Sequence, residues 1–499
     1  MKMNSSPLFA ACVAALTLSV TPLTLFAVDR EWGNTGTNFV TNGNWVGGTA
    51  PANNISSDIG VFGSAGASTM NPDLGANRSI NGFSFLSGAR AYSFSGAGIF
   101  TIGGGGINHA GGNLQIFSNA DLTLDQNQDW NVATAGELRI NTSVSGGVGI
   151  VLTKLGAGTL TLNGTNSFGQ PTSNGLNVEG GTVNLNTAAA PGSARISTGN
   201  GVTLDNTSGG AITLSNNNRW RLNNVTATFK GTNDLSLGTG VLETNVANRN
   251  LRVDGGILTV GGLASANSGN GVTIAGAGTL IVSGSATSTL SGNLNISGGP
   301  QNLTGGTVLV NNSAGSATGT AAVFVNNGGT LGGTGIINTG ITNNGVTVIA
   351  GGMLAPTAAA LSLRMDLGTG SLNVSAAVTA SNSQALIFTL GTVSSQITLT
   401  NASTLNIGTG VLEFNDFQFT GGTGFAPGTY TLFQTSNTIT GSLGANLSGM
   451  VGAYNASIGF ANSDQNLVLM VVPEPSTGAL LLGGVLLLLG MRRRSAVRR

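Results

Sequence analysis

The chain has 499 residues, 81 of them glycine, with 7% charged, 5% aromatic and no formal net charge. Average soluble domains carry about 25% charged residues, so this is not the make-up of an ordinary globular enzyme. A positive mean hydropathy and abundant Thr, Asn, Ser and Val equally exclude a disordered chain, which needs high charge and few strand formers.

The neutral total hides an uneven distribution. Of the 18 Lys and Arg, Lys2 and five tail arginines lie outside residues 28–473; of the 18 acids, only Glu474 does. That leaves 12 cations against 17 acids, a net of −5. Such a body offers no electrostatic footprint for nucleic acid.

Residues 1–27 open with Lys2, continue with an apolar stretch and end Leu25-Phe26-Ala27 before Asp29-Arg30-Glu31. This is the layout of a secretory signal peptide, with cleavage expected after Ala27. Cys12, the only cysteine, sits in the middle of the apolar stretch, too early for a lipoprotein site, so the mature chain has neither disulfide nor thiol chemistry. Residues 28–79 carry Trp32, Gly33, Trp45, Gly47 and Pro51. Tryptophans here suit either a cap over the first rung of a solenoid or stacking on sugar rings, and the cap is the reading adopted.

Residues 80–356 are short apolar alternations broken by glycine and asparagine turns, such as Leu122-Thr123-Leu124, Leu138-Arg139-Ile140 and Leu294-Asn295-Ile296. The best-defined unit is Lys154-Leu155-Gly156-Ala157-Gly158-Thr159-Leu160-Thr161-Leu162, followed by Gly164-Thr165-Asn166 and Glu179-Gly180-Gly181-Thr182-Val183. A partial copy returns at Gly276-Ala277-Gly278-Thr279-Leu280-Ile281-Val282. This unit resembles the passenger-associated β-strand repeat of bacterial autotransporters, and the resemblance implies a right-handed parallel β-helix displayed outside the cell. Strand alternation leads to the same class, an all-β solenoid, because a strand this short cannot bury its apolar face alone. Three short strands per coil of about 20 to 25 residues give on the order of a dozen coils. Leu160, Leu162, Leu280 and Val282 are expected to face inward, with Thr159 and Thr161 outward. Residues 357–470 are less regular and are expected to form a C-terminal β region that closes the solenoid.

Residues 471–499 change composition abruptly. Pro473-Glu474-Pro475 is followed by an apolar run over 478–491, rich in Leu and Gly, then Arg492-Arg493-Arg494. This resembles a PEP-CTERM sorting tail, which implies an exosortase-type sorting enzyme as partner and processing near Pro473, Glu474 and Pro475. The prolines hold the site extended, and the arginines stay on the cytoplasmic side. The apolar run, expected as a short C-terminal hydrophobic helix, has 14 residues where a full span wants roughly 20. It therefore suits a transient stop better than an ordinary permanent anchor.

Candidate chemistry is sparse. His109, the only histidine, follows Gly103–Gly106 and is read as an exposed residue of a flexible loop, with no partner for acid–base or metal work. Asp121, Asp125 and Asp129 are spaced by four but lack the calcium motifs, and are read as solvated turn residues. Arg219-Trp220-Arg221 is a cation and aromatic cluster suited to an acidic glycan or to covering a coil's outer face; the latter is adopted. No phosphate loop, nucleophile elbow or zinc helix is present, and no cofactor is implied. These features predict an exported surface or matrix protein, structural or adhesive, associating with exopolysaccharide or like molecules. The rivals are a β-helix polysaccharide lyase or hydrolase, which would share the fold, and an autotransporter passenger, which needs a C-terminal barrel.

Overall fold

A four-residue strand such as Thr159–Leu162 has one apolar face and two unpaired edges, and neighbouring coils satisfy both. In the computed structural model it pairs in parallel with Glu137–Ile140 on one side and Thr182–Leu185 on the other. Leu160 lies opposite Leu138 and Val183, and Leu162 opposite Ile140 and Leu185, all fully buried. The partial copy behaves alike: Leu280 and Val282 sit between Leu258 and Val260 on one side and Val308 and Val310 on the other. The structure describes residues 27–64, 70–171, 173–298, 303–340, 345–379 and 383–473. Residues 1–26 of the expected signal peptide (1–27) and the tail from Glu474 onward, including the expected hydrophobic helix, lie outside them.

The described chain is all-β and coils into a solenoid of about 13 parallel turns. One parallel sheet runs from Val28–Glu31 to Gly262–Ser265. A second runs from Ser93–Phe94 to Thr440–Leu443, and a third from Ile212–Thr213 to Phe417–Gly421. The long strand Val272–Val282 serves both of these: Val272–Ile274 pair with Leu294–Ile296, then the strand turns at Gly276 and Thr279–Val282 pair with residues 307–310. A fourth sheet starts at Ile336–Asn338 and adds Leu363–Asp366, Ile397–Thr400 and Gly428–Gln434 in parallel. It closes with three antiparallel strands, Asn466–Val472, Tyr454–Ala461 and Ser448–Val451. Parallel pairing thus reaches into both the 28–79 and the 357–470 segments.

Coils stacked at about 4.8 Å leave no room for side chains where the backbone turns a corner. A Cβ on Gly164 would lie 1.8 Å from the Thr142 carbonyl oxygen, and one on Gly284 would lie 1.7 Å from that of Gly261. Glycine closes these strands because the coil beneath occupies the space.

The core changes character along the stack. Most coils are filled by Leu, Ile and Val, but the first are filled by rings. Trp32 meets Trp45 edge-on at 5.0 Å, Phe39 meets Trp45 at 4.9 Å, and Phe94 stacks on Phe117 at 4.6 Å. Phe62 touches Trp32, Trp45, Phe83, Phe85, Tyr92 and Phe94. The Trp45 Nε1 donates to the Phe39 carbonyl at 2.7 Å, so the indole is satisfied while buried. Trp32 and Trp45 therefore present no ring face to a sugar.

Candidate functional site

Side chains that alternate away from the core form polar rows across successive coils. On the second sheet Arg139, Thr161 and Asn184 are in register. Thr161 faces outward as expected, yet is only 3% exposed, because its neighbours cover it. Its Oγ1 donates to Glu137 Oε1 at 2.9 Å and accepts from Asn184 Nδ2 at 3.0 Å. Beside it an asparagine ladder climbs the stack: Asn163 Nδ2 donates to Asn141 Oδ1 at 2.7 Å and Asn186 Nδ2 to Asn163 Oδ1 at 2.9 Å. Arg139 folds back on Glu137, with Nε and Nη2 donating to Oε1 at 3.0 and 2.9 Å. Glu137, Arg139, Thr161, Asn163, Asn184 and Asn186 line an open groove of about 550 Å³. Its chemistry is amide and hydroxyl hydrogen bonding. Its one carboxylate, Glu137, is engaged by Arg139 and Thr161.

A second outward row lies on the first sheet, where Asp129, Thr153, Asn177, Ser197, Arg221 and Glu243 follow one another strand by strand. A groove of about 390 Å³ opens at Asp129, Thr153 and Asn177. At the other end Arg221 grips Glu243 with both arms of its fork, Nε to Oε2 and Nη2 to Oε1, each at 2.9 Å. Burial would raise the Glu243 carboxyl, but the Arg221 hydrogen bonds and the charges of Arg219, Arg221 and Arg195 outweigh it and hold the group below its ordinary value. Trp220 does not cover the outer face, contrary to the reading of the triplet as surface. It is fully buried between Ile196 and Leu242, with Nε1 donating to Thr198 Oγ1 at 3.0 Å, and only Arg219 and Arg221 point outward.

His109 also departs from expectation. Gly103–Gly106 are not a loop but part of the strand Ile99–His109, whose register against Arg78–Phe85 shifts between Ile80 and Gly82. The extra residues bulge outward and return His109 to the core, fully buried edge-on to Phe85. Its Nε2 donates to the Asn113 carbonyl at 2.6 Å; burial lowers its pKa, opposed by that bond. Asp121, Asp125 and Asp129 are exposed, but Asp121 and Asp129 belong to two different strands, Asp121–Leu124 and Gln128–Val132. Among the described residues no group of three His, Cys, Asp or Glu is placed to hold a metal.

Lys154, the first residue of the best-defined repeat, is a core residue. It is fully buried opposite Trp130 and Val178, and its Nζ donates to the carbonyls of Leu155, Gly156 and Gly180 at 2.8, 2.9 and 3.1 Å. One ammonium thus ties the corners of two consecutive coils. Burial lowers its pKa to about 8. Its alternation with inward Leu152 carried the signal for this, masked by the charge.

Of the residues expected to direct sorting, Pro473 is exposed and directly follows Asn466–Val472, the last strand among the described residues. Glu474, Pro475, Arg492, Arg493 and Arg494 lie outside the described residues. No protein-family model matches the chain, and neither a curated protein nor a solved structure matches it.

Proposed function

We propose that the chain is an exported structural and adhesive protein of the cell surface or extracellular matrix, whose polar outer rows associate with exopolysaccharide or with like molecules. It crosses the inner membrane behind its signal peptide, is held transiently by the C-terminal hydrophobic helix, and is processed by an exosortase-type enzyme at Pro473-Glu474-Pro475. Its coils are right-handed, the hand that parallel crossover connections nearly always take. It acts without catalysis, without a cofactor and without nucleic acid.

The observation that carries this reading is the pair of outward polar rows. They continue over several coils and offer hydroxyls and amides on successive strands, Thr161 and Asn184 in one row and Thr153, Asn177 and Ser197 in the other, the groups that match sugar hydroxyls. Two acids of these rows are held by arginine, Glu137 by Arg139 and Glu243 by Arg221. Held below its ordinary value, the Glu243 carboxyl stays ionised and is a poor general acid. Purified protein is therefore expected to retain exopolysaccharide in a binding assay while leaving its chain length unchanged. Release of new reducing or unsaturated sugar ends by the same preparation would favour the lyase or hydrolase instead.

A further inference from the structure

We propose that the arginine cluster at the end of the first-sheet row, Arg195, Arg219 and Arg221, is the seat of an acidic polysaccharide, binding a carboxylate or sulfate group. This rests on the adhesive reading and narrows it to one glycan class and one place. The first observation is stoichiometric. Elsewhere the ion pairs match one cation to one acid: Arg30 with Asp58, Arg139 with Glu137, Lys230 with Asp205 and Arg252 with Asp254. Here two guanidinium groups, Arg221 at 2.9 Å and Arg219 at 3.9 Å, share Glu243, and Arg195 adds its charge nearby. The charged groups acting on Arg195 are Arg221, Glu243 and Arg219, which leaves the cluster at +2 in a body of net −5.

The second observation is how the one acid is divided. Arg221 occupies both oxygens of Glu243. Arg219 stands 3.9 Å from Oε1, beyond hydrogen-bond distance, with its side chain 43% exposed. Arg195 turns its fork to a neutral acceptor, Asn174 Oδ1, through Nε at 2.9 Å and through Nη2. Glu243 thus holds Arg221 in place, while the charge of Arg219 faces solvent without a hydrogen-bonded anion. A guanidinium fork is weakly hydrated and matches the two oxygens of a carboxylate or sulfate.

The third is continuity. The groove lined by Thr153 and Asn177 lies on the same outward row, with Asn177 two strands from Arg221, about 10 Å away. A polymer lying along the row meets hydroxyl and amide groups in the groove and positive charge at its end. Asp129 is four strands from Arg221, about 19 Å, further than the screening length at physiological salt. A polyanionic backbone read only through phosphates needs many cations in line, and the body has 12 Lys and Arg in all.

The test uses the full chain and four probes: polygalacturonate, dextran sulfate, uncharged dextran and duplex DNA. Tighter binding of polygalacturonate or dextran sulfate than of dextran, weakened by added salt, is expected; the two polyanions separate carboxylate from sulfate recognition. Arg219→Gln should weaken polyanion binding roughly tenfold, as loss of one charge-assisted hydrogen bond implies, and Arg219→Glu should weaken it further. Both variants leave the Arg221–Glu243 pair intact, and unchanged dextran binding would show the rows undisturbed. Polyanion binding equal to that of dextran, or unaffected by Arg219→Glu, overturns the site but leaves adhesion standing. Binding of none of the glycans overturns both. DNA bound as tightly as polygalacturonate, with the same dependence on Arg219, overturns the choice of glycan.

Discussion

Phe62→Ala is expected to melt the first coils while leaving the distant ones folded. Phe62 is fully buried and touches six other rings, from Trp32 at the start of the chain to Phe94. Removing such a side chain costs about 3–5 kcal/mol, because the rigid neighbours cannot close over the space. In a solenoid each coil contacts only its neighbours, so the loss is not shared along the stack. Hydrogen exchange should show the amides of Asp58–Phe62 and Arg78–Phe85 losing protection, with those of Thr307–Val310 unchanged. Uniform loss along the chain would mean that the stack unfolds as one unit. Opening this end would also uncover strand edges, and self-association should rise with it.

Lys154→Met is expected to destabilise the protein at pH 7 and to remove a pH dependence. Methionine keeps the volume but strips three carbonyls of their donor. Each hydrogen bond to a charged group is worth about 1.5–3 kcal/mol, and an orphaned buried acceptor adds to the loss. Against this stands the cost of burying the ammonium, roughly 3 kcal/mol for a pKa lowered from 10.5 to about 8. The variant also leaves three buried carbonyls without any donor, at about 1–3 kcal/mol each, and these orphaned acceptors outweigh the relief of the charge. The sign of the pH effect follows from linkage. Between pH 8 and 10.5 the unfolded chain keeps a proton that the folded chain has released, so wild-type stability rises with pH across that window. Below pH 8 both states are protonated and the burial cost is present in full. Denaturant titrations from pH 7 to 10.5 should show this rise in the wild type and a shallower slope in the variant; parallel curves would mean that Lys154 titrates as if exposed.

The inward faces of the coils were legible because strand side chains repeat with a period of two, and apolar alternation at Leu160 and Leu162 or Leu280 and Val282 leaves one way to bury them. Contacts between coils were not. Glu243 lies 22 residues from Arg221, and nothing local in the sequence says that the two are in register. Register depends on corner lengths, which vary: Leu160 is 22 residues from Leu138, but Leu204 is 25 from Phe229. Residue type misled in three places. A glycine run before His109 looked like a loop but is a bulged strand, and Trp220 between two arginines looked like surface although its alternation points inward. The charge of Lys154 hid a core position made tolerable by three carbonyls. The outer rows were foreseen as polar, but their grooves depend on which amides and hydroxyls meet across coils.

The most direct measurement is mass mapping of the C terminus of the protein recovered from the cell surface and medium. Among the described residues the last strand, Asn466–Val472, ends immediately before exposed Pro473, so a cut there leaves every described strand whole. On the sorting reading, the surface form ends at or near Pro473-Glu474-Pro475 and lacks residues 478–499. A surface form that still ends at Arg499 contradicts it and makes the protein tail-anchored.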